Sequence, residues 1–258
     1  GSMTNLHVHG LHVSPSEDDV FAHVPYGGER TYTYHLPSDH PSGTYWYHPH
    51  HHPHQTFQLG AGGAFGLLIV DEKPAGIAAS PSLAALAALQ ETHLLLHHVT
   101  ATDCALRGYA ALRGGLRACA RQGVPNAQSP IVLVSGRVRP NLPMVPFKWY
   151  RWRLLFSATN AILQPRVPIG CTAQLLATDG VYLPNGPRNV TGAYLPPGAR
   201  ADWLIACPPG IFTLDADLSV EAGGPASRIE LGRLHASGTA DVPTASALPR
   251  SFRPSLPC

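Results

Sequence analysis

The chain alternates apolar and polar positions in short segments broken by glycine and proline. Leu6 to Val13, the alternating Tyr32, Tyr34 and Leu36, Thr44 to His48 and the continuous apolar run Ala64 to Val70 all predict strands. Gly27-Gly28, Pro41-Ser42-Gly43 and Gly60 to Gly63 supply the breaks. From Ser80 the period changes. Ser80 can cap, and Pro81 can begin, a short Ala/Leu helix through Leu89, and Cys104 to Arg121 carries a second, glycine-interrupted helical pattern. Thr92 to Thr100 between them predicts a strand. Alternation returns over Ile131 to Val134, Trp149 to Phe156, Ala173 to Ala177, Ala201 to Cys207 and Gly210 to Asp215. Strands at this spacing predict an all-β sandwich or barrel. The organisation read from the pattern is a first β domain over residues 1–74, a partly helical connector over 75–125, a second β domain over 126–238 and an irregular Pro/Ser/Ala-rich tail over 239–258.

Composition narrows this picture. A chain of 258 residues has room for one large or two small domains. Charged residues at 13% against 44% hydrophobic exclude disorder, and 25 Gly with 26 Pro exclude a helical bundle. The net charge of +2 comes without a Lys/Arg cluster, so nucleic acid and anionic membrane surfaces are not expected partners. No run approaches the roughly 18 apolar residues of a membrane span. The start lacks the layout of a secretion signal, and Gly1-Ser2 look like a cloning remnant, so the compartment is not legible there. Of the five cysteines, none in CxxC spacing, Cys104 could pair with Cys119; Cys171 and Cys207 read as buried free thiols on strands.

Histidine is the anomaly. Eleven of the fifteen lie in the first 54 positions, and two pairs share one spacing, His7-Val8-His9 and His48-Pro49-His50. On an extended strand residues i and i+2 face the same side, so each pair can present two imidazoles to a common point, a pattern suited to a polynuclear metal site. His51, His52 and His54 extend the second pair and read either as solvated loop residues or as an auxiliary uptake or storage site. His12 is out of phase with the motif, and His23, His35, His40, His93, His97, His98 and His235 read as structural or ordinary. No Ser/His/Asp arrangement, P-loop or dinucleotide fingerprint appears, which disfavours hydrolase and nucleotide chemistry.

At these residues the chain resembles the multicopper oxidases, the family of laccases. Asn5-Leu6-His7-Val8-His9-Gly10-Leu11 is similar to the family's first His-x-His-Gly motif, and Gly43-Thr44-Tyr45-Trp46-Tyr47-His48-Pro49-His50 to its second. Gly60 to Asp71 is similar to the return strand of its first cupredoxin domain. Trp152 to Ala158, Ala177-Thr178-Asp179-Gly180 and Leu195 to Asp202 are similar to landmarks of its second. The resemblance implies two cupredoxin-like Greek-key domains, copper as cofactor, and oxidation of phenols or amines coupled to reduction of dioxygen. It implies His7 as ligand of a type 2 copper and His9, His48 and His50 as ligands of a coupled type 3 pair. It also implies secreted or extracytoplasmic residence and, for Asp202, a structural role.

The chain departs from the family pattern as well. No cysteine is flanked by histidine, and only His235 follows His98, so the sequence holds half of a trinuclear ligand set and no recognisable type 1 site. A piece of a longer oxidase, a degenerate copper binder and a homo-oligomer completing the site between copies all account for this. The alternative function is non-enzymatic copper binding, storage or delivery.

Overall fold

A computed structural model describes residues 3–52, 54–99, 131–220 and 224–238. The N-terminal sheet has three antiparallel strands in chain order, β1 (His7–His9), β2 (Gly43–His48) and β3 (Gly66–Val70). A six-residue helix, α1 (Gln55–Gly60), lies between β2 and β3. Two more follow, α2 (Pro74–Ala79) and α3 (Pro81–Ala87), each opened by a proline whose missing N–H loses nothing in a first turn. Ser80 caps α3 as its sequence predicts, accepting from the Leu83 amide at 3.3 Å.

The remaining strands are β4 (Gln90–Val99), β5 (Ile131–Val134), β6 (Asn141–Met144), β7 (Tyr150–Ser157), β8 (Ile162–Pro165), β9 (Thr172–Thr178), β10 (Val181–Tyr182), β11 (Arg188–Asn189), β12 (Arg200–Ala206), β13 (Gly210–Ser219) and β14 (Ser227–Ala236). They form one sheet in the order β10-β9-β12-β7-β4-β5, with β11 beside β9, and a second in the order β6-β14-β13-β8. Between the two lies the main core. Tyr150, Trp152, Leu154 and Phe156 of β7 and Ala201, Trp203 and Ile205 of β12 meet Leu214, Ala216 and Leu218 of β13 and Leu231 and Leu234 of β14. Each large side chain buried there stabilises the fold by about 1.5–3 kcal/mol.

The alternate residues of β7 and β12 face the other way yet are buried, because the N-terminal part covers them. Leu155 packs with Trp46 and Leu59. Asp202, 1% exposed, accepts from Arg151 Nη2 at 2.6 Å and Nε at 3.0 Å, from Arg153 Nη1 at 3.3 Å and from Thr44 Oγ1 at 2.7 Å. Thr44 in turn accepts from Arg153 at 2.9 Å. This buried polar cluster fastens β2 to the large sheet, and it gives Asp202 the structural role the resemblance implied.

Several expectations change. Cys171 and Cys207 are not free thiols but a disulfide, with Cα atoms 4.2 Å apart. The register that sets Thr172 opposite Ala206 brings the flanking cysteines together. The strand expected within the connector, β4, is an integral part of the large sheet, parallel to β7 and antiparallel to β5. Tyr32, Tyr34 and Leu36 form no strand. Helices α1 and α2 and strands β6, β8, β10, β11 and β14 were not anticipated. The helical pattern of Cys104 to Arg121, the pairing of Cys104 with Cys119, and the tail lie outside the described residues. No helix among the described residues is long and apolar enough to cross a membrane.

Candidate metal centre

The register of β1 on β2 builds the site. His7 lies opposite His48, and His9 opposite Trp46. Cross-strand partners share a face, and so do residues two apart, so His7, His9 and His48 project to one side while Val8 turns into the core. Ligand nitrogens of His7, His9 and His48 all lie within 4.8 Å of one another. Nδ1 of His9 faces Nε2 of His48 at 3.2 Å. His50 completes a ring of four imidazoles, its centroid 5.2 Å from that of His7 and 6.1 Å from that of His48. They border a cavity of about 290 Å³ closed by Trp46, Leu59, Ala158, Pro197 and Gly198, so the large sheet's loops supply its far wall.

Outer contacts fix the rings. His7 Nδ1 donates to Asp18 Oδ2 at 2.7 Å, and the other Asp18 oxygen accepts from the Val8 amide at 3.0 Å. His48 Nδ1 lies 3.0 Å from the Pro49 carbonyl, which can only accept. Both rings therefore carry their proton on Nδ1 and turn an Nε2 lone pair inward. Asn5 accepts from the His50 amide at 2.6 Å and donates to the Val20 carbonyl at 2.7 Å, holding the second motif against the first. Trp46 underlies the pair, 4.2 Å from the His48 ring and 5.1 Å from that of His9. At Gly198, φ is +79° and a Cβ would sit 3.0 Å from Trp46, so only glycine lets this loop close on the indole.

Electrostatics keep His9, His48 and His50 neutral. Burial, reinforced by the Arg200 guanidinium and by His48, His7 and His50, lowers His9 to about 4. Burial, with help from His7 and His50, lowers His48 to about 4 against the opposing pull of the Pro49 carbonyl. His50 is lowered too, mainly by burial. Neutral, inward-facing imidazoles form a donor set that fits copper, and its rings are already positioned.

The other histidines part company. His51 and His54 leave the centre and gather with His23, their rings 5.9 Å and 5.3 Å from one another in the order His54, His51, His23. His52 lies beside Gln55, 3.1 Å from its amide nitrogen. His40 accepts from the His12 amide at 3.0 Å, and His97 reaches the Leu59 and Gly60 carbonyls at 3.0 Å, both structural roles. Sequence reasoning missed Asp18 and Asn5. Asn5 opens the segment that carries the first motif, two residues before His7, and could have been suspected, whereas Asp18 comes from a loop whose path no periodicity announces.

Residues 2–75 match the multicopper oxidase family. No curated protein matches by sequence. Solved structures with similar folds include a metallo-oxidase of the multicopper type from Campylobacter jejuni, 23% identical, with a TM-score of 0.64 over 92% of this chain and 47% of that one. A laccase-like multicopper oxidase from an Ochrobactrum species has 21% identity and a TM-score of 0.64 over 92% of this chain and 49% of its own. A blue copper oxidase from Nitrosomonas europaea has 17% identity and a TM-score of 0.57 over 99% of this chain and 76% of its own. The chain thus spans about half the length of the first two. The family match thus covers the motif-bearing region, residues 2–75, and the likeness to these multicopper oxidases across the rest of the chain is one of cupredoxin fold.

Proposed function

We propose that the chain is a laccase-like copper oxidase that takes electrons from phenolic or amine substrates and passes them to dioxygen, with copper held by His7, His9, His48 and His50. The observation carrying this reading is the convergence of four imidazoles, three of them within mutual ligand distance, on one cavity. Copper, when bound, supplies the one-electron redox chemistry and the affinity for dioxygen. The chain's own residues prepare the site. Asp18 and the Pro49 carbonyl fix the proton positions of His7 and His48, Trp46 and Leu59 exclude water from one side, and burial, reinforced by Arg200, keeps the His9 ring unprotonated. Following the family resemblance, His7 serves the type 2 position and His9, His48 and His50 the type 3 pair.

Four histidines are half of the family's trinuclear set, and a second copy bringing four more is the arrangement we favour. A strictly monomeric, copper-loaded protein would overturn that arrangement. With no cysteine flanked by histidine in the sequence, intense blue absorption is not expected. The disulfide between Cys171 and Cys207 supports residence in an oxidising compartment. The rival reading, a copper carrier, is favoured by the surplus imidazoles at His23, His51 and His54. Oxygen consumption with a phenolic substrate and added copper separates the two. The oxidase reading requires uptake that disappears in His48→Ala; copper binding without uptake would support the carrier.

A further inference from the structure

The histidine surplus has a structure of its own. His23 belongs to the loop between β1 and β2, and His51 and His54 to the segment between β2 and α1, so the two sides of the cluster come from chain segments about 30 positions apart. Their juxtaposition is built. Thr4 exchanges two backbone hydrogen bonds with Val24, next to His23, at 3.0 Å and 2.7 Å. The Thr4 hydroxyl also donates to Gln58 on α1 at 3.0 Å, and Gln58 donates to the Met3 carbonyl at 2.9 Å. Asn5 holds the His50 amide, one residue before His51. One short segment, Met3 to Asn5, therefore ties down both sides of the cluster.

The rings are also uncommitted. His51 Nδ1 is buried with no hydrogen-bond partner among the described residues. His54 stands at the N-cap of α1, yet its side chain makes no capping bond. The His23 ring is exposed, on a backbone fixed by its neighbour Val24. A buried ring nitrogen left without a partner is a deficit that a ligand removes. Two imidazoles on one ion, with metal–nitrogen bonds of about 2.0–2.1 Å, place their ring centroids about 4.5–6.4 Å apart for bond angles between 90° and 180°. The observed separations of 5.3 Å and 5.9 Å fall inside that window.

We propose that His23, His51 and His54 form a second, separate site for an imidazole-seeking transition-metal ion such as Cu(II), next to the four-histidine centre. The three imidazoles bring no charge, so the site suits borderline ions and gives Mg(II) or Ca(II) no hard oxygen donors. It is more open and less drawn together than the His7, His9 and His48 group, which predicts weaker binding and faster exchange. Because His51 directly follows His50, an ion held here lies beside the inner centre, a suitable acquisition point for it.

The test is equilibrium dialysis of the full chain against Cu(II) alone, with bound metal counted by elemental analysis. The parent is compared with His23→Ala/His54→Ala and with His7→Ala/His9→Ala/His48→Ala, each checked for native circular dichroism. Loss of about one weakly held ion per chain from the first variant, and retention of that ion by the second, is the expected result. The same ion should survive in His52→Ala. Parental stoichiometry and affinity in His23→Ala/His54→Ala would overturn the proposal, as would loss of the weak ion in the inner-site variant. Binding here is counted independently of the oxidase reading, so either can fail without the other.

Discussion

Replacing Asp18 by asparagine changes one atom at the hinge of the site. In the native protein one carboxylate oxygen takes the Val8 amide at 3.0 Å and the other the His7 Nδ1–H at 2.7 Å. Asparagine keeps the first bond through its carbonyl oxygen and then turns its NH₂ toward His7. Donor would face donor unless the imidazole moves its proton to Nε2, the nitrogen that the proposed centre offers to copper. Loss of such an outer partner weakens metal binding by about 10–100-fold, which corresponds to about 1.4–2.7 kcal/mol. Competition titration of Cu(II) against a chelator of known affinity reads this directly, and a thermal melt of the metal-free protein checks that the fold is intact. Asp18→Asn should lose affinity by at least tenfold with little change in the melt. An affinity within twofold of the parent would refute the claim that Asp18 sets the His7 tautomer.

Three further outcomes follow from the geometry. Asp202→Ala removes the carboxylate that the buried Arg151 and Arg153 share, leaving Arg151 on Tyr182 and Arg153 on Glu91, and should destabilise the protein by about 1.5–3 kcal/mol in denaturant unfolding, whereas a loss below about 1 kcal/mol would mean the cluster does not hold β2 in place. Gly198→Ala combines a left-handed φ with a Cβ 3.0 Å from Trp46 and should cost about 1–3 kcal/mol, with copper affinity falling as the indole shifts; an unchanged melt contradicts the tight closure described. His9 and His48 titrate at about 4, below the ordinary histidine value, so protons compete for these nitrogens only as pH falls toward 4. Their contribution to copper affinity should stay level from pH 7.5 to about 5.5 and drop below about 4.5; a decline beginning near 6.5 would show that they are not held neutral.

The first His-x-His pair was legible because strand periodicity alone puts His7 and His9 on one face, and β1 against β2 then brings His7 opposite His48, whereas β2 ends at His48, so His50 reaches the centre from beyond the strand expected to carry it. The helix cap at Ser80 was equally local. What could not be read were relations set by distant pairing. Cys171 and Cys207 look like isolated strand-end thiols until β9 and β12 are aligned, and β4 looks like connector until β7 is laid beside it. Arg151 and Arg153 are charged residues on β7, yet both are buried under the N-terminal sheet because Asp202 and Thr44 meet them there. His23 gave no signal, since its partners His51 and His54 lie about 30 positions on and are brought to it through Thr4 and Gln58.

The most direct test of the four-histidine centre is copper per chain by elemental analysis on reconstituted protein of independently determined oligomeric mass, in the parent and in His9→Ala/His48→Ala. The account predicts a multimer whose tightly held copper, about one to two ions per chain, is lost in the double variant. Tight copper that survives removal of both histidines, or a parent that retains no copper after reconstitution, would contradict it.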